Sequence, residues 1–122
     1  MNLFRIVYGS RLQGDFKLAE MVELADRAAA FNAPLGITGF LAFGHGQFLQ
    51  VLEGGQEVTN RVYHSRVLAD RRHSDFRLIH ASVIDVRRFA DWAMSFAHVT
   101  PDDRALLRTH FPAARLAIER LS

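Results

Sequence analysis

From Ile37 to Glu53 the chain reads as one β-hairpin, and this feature limits the folds open to it more than any other. Ile37 to Phe43 is an apolar, β-rich run, Gly44-His45-Gly46 supplies a turn, and Gln47 to Glu53 returns with period-two alternation. That alternation sets Phe48, Gln50 and Leu52 on one face and Leu49 and Val51 on the other. A hairpin by itself is marginally stable in water, so its apolar face has to be covered by neighbouring elements.

Helical patterns flank it on both sides, and each helix has a further strand beyond it. Upstream, Leu3 to Tyr8 is nearly continuous and β-rich, with Phe4, Ile6 and Tyr8 sharing a face. A turn over Ser10 to Gly14 leads to Asp15 as N-cap and a helix from about Phe16 to Phe31. Its apolar line runs Leu18, Met21, Val22, Ala25, Ala28, Ala29 and closes on Asn32, after which Pro34 and Gly36 end the helix. Downstream, Gly54-Gly55 precedes a helix from about Glu57 to Ala69, where Val58, Val62, Arg66 and Asp70 recur at intervals of four. Strands follow at Phe76 to Ile84 and Trp92 to Val99, the latter with Trp92, Met94, Phe96 and His98 on one face. Two short helices, about Asp102 to Thr109 and Ala113 to Leu121, lie on either side of Phe111-Pro112.

The order βαββαββ is an α+β, ferredoxin-like plan: one mixed sheet with two helices crossing a single face, extended here by the short C-terminal helices. At 122 residues and 49% hydrophobic side chains, the chain suits one core and one domain. Three polar side chains sit on apolar lines of this plan: Tyr8 and Gln50 on the sheet, Asn32 at the end of the first helix. A buried polar group without a partner costs about 1–3 kcal/mol, so three of them facing one cleft between the helices imply a shared, planar, polar ligand.

Charge and composition exclude several classes of protein. Fifteen Lys and Arg against thirteen Asp and Glu give a formal charge of +2, with the arginines scattered, which argues against a nucleic-acid surface. The absence of cysteine removes disulfides, thiolate metal sites and cysteine nucleophiles. No apolar run approaches the ~20 residues of a membrane span, and Met1 to Arg5 alternates like a strand instead of opening a signal peptide. These features predict a soluble, cytoplasmic protein.

Several separated segments together resemble the BLUF family of blue-light receptors, which bind flavin without covalent attachment. They are Tyr8-Gly9-Ser10-Arg11, Ala28 to Asn32 leading into Gly36-Ile37-Thr38-Gly39, Phe48-Leu49-Gln50-Val51-Leu52-Glu53-Gly54, Asp70-Arg71-Arg72-His73, and Arg88-Phe89-Ala90-Asp91-Trp92-Ala93-Met94. The resemblance runs from about Leu3 to His98 and implies a flavin-binding domain over residues 1–99, with residues 100–122 as a helical extension for output or an oligomer contact. It implies FAD, with FMN as the alternative, lying between the two helices. Asn32 would hold the pyrimidine edge of the ring, Leu24 would touch the flavin, and Arg66 and Asp70 would meet its tail. Tyr8 and Gln50 would carry the photochemistry, and Trp92 and Met94 would relay it. Phe31 departs from the family pattern, which often has a polar residue at that position. A receptor of this kind is not an enzyme, and its signal would leave by contact with another copy or a separate effector protein.

Residue by residue, plainer readings compete. Asn32 could cap its helix, Tyr8 and Gln50 could satisfy one another in a core, Trp92 and Met94 could be core residues, and Arg66 and Asp70 could form an i,i+4 surface pair. At the level of the whole chain, an acylphosphatase-like hydrolase would need a phosphate-cradling loop after the first strand, for which Gly9-Ser10-Arg11 is a weak match. A metal site would draw on His45, His64 and His73, whose spacing gives no helical pair. An RNA-binding module would need aromatic and basic groups where Gln47 to Glu53 places glutamine and glutamate.

Overall fold

The computed structural model describes residues 2–14, 17–44, 46–88, 96–98 and 101–110. Strand β1 (Leu3–Leu12) is followed by helix α1 (Leu18–Asn32) and a 3-10 turn at Ala33–Leu35. Strands β2 (Thr38–Gly44) and β3 (Gln47–Gly55) form the hairpin, after which helix α2 (Gln56–Val62) runs on through a π-helical turn at Tyr63–Val67. The chain then forms β4 (His73–Ile84), β5 (Phe96–His98) and helix α3 (Pro101–His110).

The five strands lie in the order β4-β1-β3-β2-β5. Pairing is antiparallel except between β2 and β5, which are parallel. Strand β1 is paired on both edges, with β4 and with β3, and Phe4 through Ser10 are all buried, so side chains on both of its faces are covered. The main core unites Phe4, Ile6, Tyr8, Leu41, Phe48 and Leu52 from one sheet face with Ala25 of α1 and Val62 and Tyr63 of the second helical segment. Both helices therefore pack on the same face of the sheet, as the ferredoxin-like plan requires.

Two glycines are fixed by geometry. Gly36 closes the turn after α1 with φ 70°, a left-handed conformation that suits a residue without a side chain. Gly39 lies so close to β3 that a Cβ there would stand 1.9 Å from the Val51 carbonyl oxygen.

The opposite sheet face holds an ion pair that the sequence pattern did not announce. Arg5 and Glu53 are cross-strand partners, with Arg5 Nη2 2.7 Å from Glu53 Oε2 and Arg5 Nε donating to the same oxygen at 2.8 Å. Glu53 is completely buried and also accepts the Arg88 backbone N–H at 3.0 Å. Arg87 donates to the Thr38 hydroxyl at 2.8 Å and to the Glu53 carbonyl at 3.1 Å. Glu53 thus joins β1, β3 and the segment after β4 from within the protein, where an exposed recognition surface had been one alternative.

Several boundaries differ from the sequence expectation. Helix α1 starts at Leu18, and the Lys17 backbone N–H donates to the Glu20 carboxylate at 3.5 Å; Asp15, the expected N-cap, lies outside the described residues. Val22 is exposed, because the buried arc of α1 is rotated toward Leu24, Ala25, Ala28 and Ala29. Strand β4 begins at His73 instead of Phe76, and β1 continues through the Ser10 to Leu12 stretch that read as a turn. Of the expected last strand, Phe96–His98 is described; Trp92 and Met94 fall outside the described residues, as does the second C-terminal helix.

Candidate functional site

Between α1 and the second helical segment, above β1, β2 and β3, lies a cavity of about 200 Å³. Its floor is Tyr8, Leu41, Gln50 and Leu52. One wall is Leu24, Arg27, Ala28, Phe31 and Asn32, the other Val62, Arg66 and Val67, and Asp70 and Arg72 stand at the end of that second wall.

The strand register brings the floor's polar groups together. Tyr8 and Gln50 are direct partners in the β1–β3 ladder, and Gln50 is in turn opposite Leu41 of β2. Cross-strand partners project to the same face, so phenol and carboxamide rise side by side. Asn32, the last residue of α1, is brought over them by the helical spacing from Ala25 and Ala28. All three are buried, with exposures of 3% for Tyr8, 4% for Asn32 and 8% for Gln50. Neither the Tyr8 hydroxyl nor the Asn32 carboxamide has a hydrogen-bond partner among the described residues, whereas Gln50 is not without an interaction partner. Asn32 does tie its backbone carbonyl to the Ile37 N–H at 3.1 Å, so capping is done by the main chain and the side chain is left for the cavity.

The Tyr8 ring is packed against Tyr63 at 5.3 Å and Phe76 at 6.1 Å between centroids, both tilted. Burial pushes its phenol well above the ordinary value of 10.0, and the nearby Tyr63 and Asp70 push it further in the same direction. Tyr8 therefore remains a neutral O–H donor over the whole physiological range. Tyr63 is also raised by burial.

At the mouth, charge pairing differs from the alternative of an i,i+4 bridge between Arg66 and Asp70. Asp70 is held by Arg72, with Nη2 to Oδ2 at 2.6 Å and Nε to Oδ1 at 2.9 Å, a hydrogen-bonded contact that raises the Arg72 pKa. Arg66 instead lays its guanidinium carbon 3.5 Å from the centroid of the Phe31 ring. It sits in the π-helical turn, where the Leu68 N–H reaches back five residues to the Tyr63 carbonyl at 3.0 Å. Tyr8, Asn32 and Gln50, which the apolar lines single out, and Leu24, Arg66 and Asp70, which the resemblance adds, all line this cavity, together with Arg27, Phe31 and Arg72, which the sequence reading did not assign to it.

The alternatives fare less well. Gly9, Ser10 and Arg11 lie inside β1 and pair with β3, so they form no phosphate-cradling loop. His64 is exposed and stacks edge-on against Tyr63, and no group of three or more metal-ligating side chains occurs among the described residues. No described helix is long and apolar enough to cross a membrane.

A sheet floor carrying a phenol and a carboxamide, walled by two helices and edged with arginines, has the chemistry to take a flat polar ligand. The profile of the BLUF family, described as sensors of blue-light using FAD, matches residues 3–95, and the chain belongs to that family. It is 29% identical over 97 residues to photoactivated adenylate cyclase subunit beta of Euglena longa, covering 79% of this chain and 11% of that protein. With the blue light- and temperature-regulated antirepressor BluF of Escherichia coli strain K12 it shares 30% identity over 95 residues, 75% of this chain and 23% of the relative. The chain therefore spans under a quarter of either relative's length. The dark-state structure of the BLUF protein BlrB matches with a TM-score of 0.75 at 28% identity, over 94% of this chain and 83% of that one. The domain is a blue-light sensor of the flavin-binding type.

The residues present fit a flavin. An isoalloxazine edge offers a carbonyl and an N–H, which match the donor and acceptor ends of the Asn32 carboxamide, unpartnered among the described residues. Leu24, Ala28, Val62 and Val67 give the cavity apolar walls suited to the faces of a flat ring, and Arg66 and Arg27 add cations to its lining that suit a phosphate.

Proposed function

We propose that the domain holds FAD, with FMN as the alternative, between α1 and the second helical segment, and that Tyr8 and Gln50 convert absorbed light into a change of hydrogen bonding. The observation that carries this reading is the opposition of Tyr8 and Gln50 on the floor of a cavity that the Asn32 carboxamide, unpartnered among the described residues, also lines. When bound, the flavin supplies blue-light absorption and, once excited, oxidising power. Tyr8 is the donor of an electron and then a proton; its burial keeps the phenol protonated and ready to give both. Gln50 is the switch, because a carboxamide has one donating and one accepting end and reorientation or tautomerisation exchanges its partners. The electron and the proton both return to Tyr8, so that only the Gln50 hydrogen bonds stay changed until they relax in the dark, and nothing is consumed.

In this reading Asn32 orients the ring, Leu24 packs against it, and Arg66 and Asp70 meet the tail. Trp92 and Met94 relay the change. A single hydrogen bond changing partner is worth about 1 kcal/mol, which biases a two-state element several-fold without unfolding it. The chain itself then acts without catalysis: residues 100–122 present an output or oligomer surface, and the signal passes to another copy or to a separate cytoplasmic effector. The relatives named as a cyclase subunit and an antirepressor support signalling to an effector.

Purified protein is expected to be yellow and to show a flavin spectrum that shifts to longer wavelength in blue light and reverts in darkness. Colourless protein unable to take up added FAD or FMN would falsify the proposal.

A further inference from the structure

We propose that Phe31 and Arg66 form a strap across the mouth of the cleft, which orients the Arg66 guanidinium toward the phosphate of the bound flavin and slows the cofactor's release. This rests on the reading of the cavity as the flavin site and extends it to a residue at which the chain departs from the family pattern.

Phe31 belongs to the last turn of α1 and Arg66 to the π-helical turn on the facing wall, so their 3.5 Å stack spans the two sides of the opening. Both line the cavity, and Phe31 is 37% exposed, as expected of a ring at the rim. The other arginines at the mouth are engaged by carboxylates: Arg27 by Glu23 at 2.5 Å and Arg72 by Asp70 at 2.6 Å. Arg66 has no such ion pair among the described residues. A guanidinium attracts an aromatic ring through its flat face and donates hydrogen bonds through its edge, so stacking fixes its direction while leaving its N–H groups available. Phe31 is therefore a positioning residue: it removes rotational freedom from Arg66 without competing for the donors that an anion would take. A carboxylate in its place would neutralise the charge, and a small polar side chain would leave the arginine free to swing into solvent.

The strap makes a prediction that separates it from an ordinary apolar wall. Release of FAD, FMN and riboflavin from the reconstituted protein is followed by the rise of flavin fluorescence on dilution, for wild type, Phe31→Leu, Phe31→Tyr, Arg66→Met and the Phe31→Leu/Arg66→Met double variant. Leucine keeps apolar bulk but lacks the ring face, and loss of an exposed cation–π contact corresponds to about a 2- to 5-fold faster release. That acceleration is expected for FAD and FMN and not for riboflavin, which has no phosphate. Phe31→Tyr is expected to release as slowly as wild type, and the double variant no faster than Arg66→Met alone.

Equal acceleration for riboflavin would overturn the strap and leave Phe31 as a hydrophobic wall, as would an unchanged rate with all three ligands. Additive effects in the double variant would also overturn it. Circular dichroism before each measurement identifies a variant that has lost its fold, in which case Phe31→Met takes the place of Phe31→Leu. Wild-type protein that binds none of the three flavins would overturn the flavin reading and the strap together, a result distinct from each of the others.

Discussion

Tyr8 and Gln50 stand directly opposite each other in the β1–β3 ladder, on the face covered by both helices. Three residues along each strand, Arg5 and Glu53 are opposite each other on the other face. The same pair of strands thus carries an uncharged polar pair beneath the cavity and a buried ion pair behind it. Odd spacing along a strand is what sends the two pairs to opposite faces.

The uncharged pair yields the first prediction. Gln50→Leu keeps a similar volume but has no amide ends to exchange, so the variant should bind flavin and lose the reversible spectral shift. Tyr8→Phe keeps the ring packing against Tyr63 and Phe76 and removes the O–H, so it should fold and bind flavin while light-driven transfer stops. Absorption spectra before and after blue light check both; a leucine variant that still photocycles would refute the role given to Gln50.

Alkaline pH gives a second test. Tyr8 has its phenol pKa raised above 10.0 in the fold, chiefly by burial. The unfolded chain therefore loses this proton first as pH rises. The stability linked to it is fully present below the unfolded value near pH 10 and is lost as pH climbs toward the folded value. Chemical denaturation across pH 8 to about 11 should show a fall beginning near 10 that is smaller in Tyr8→Phe. Because Tyr63 is raised in the same direction, part of the fall should survive in Tyr8→Phe and diminish further when Tyr63→Phe is added.

What sequence could show of this site followed periodicity. Gln50 lies between Phe48 and Leu52 at period two, and Asn32 extends the helical line of Ala25 and Ala28, so each was visible as a polar residue on an apolar track. Phe31 and Arg72 were not, because rim residues obey no core period and look like ordinary surface. The π-helical turn was hidden too: the five-residue reach from Leu68 to Tyr63 leaves no residue signature, and it brings Val67 to the cavity beside Arg66. Glu53 read as a polar strand end because its burial depends on the β1–β3 register and on a backbone N–H from Arg88, both remote in sequence.

Gly39 supplies a stability test at the hairpin. An added Cβ would meet the Val51 carbonyl oxygen at 1.9 Å, and backbone cannot yield as a side chain does. Gly39→Ala should force β2 away from β3 and destabilise the domain by about 1–3 kcal/mol, the range for overpacking a well-filled interior. A shift in the urea midpoint measures it, and an unchanged midpoint would show that β2 accommodates the methyl group.

The ion pair behind the sheet makes the sharpest energetic prediction. Glu53 is wholly buried and the Arg5 side chain is only 10% exposed, so removing the carboxylate alone leaves a guanidinium with its principal counter-charge gone. Glu53→Ala should cost about 3–5 kcal/mol, whereas replacing both partners with apolar residues, Arg5→Met with Glu53→Leu, should recover much of that loss. The Arg88 backbone N–H loses its acceptor in both cases, so recovery should stop short of complete. Urea unfolding of the single and double variants in darkness measures the coupling. Variants that remain folded should keep the light-induced spectral shift, because the pair projects from the face opposite Tyr8 and Gln50. Loss of that shift in a folded Arg5→Met/Glu53→Leu protein would mean that the two faces of the sheet are coupled through β3.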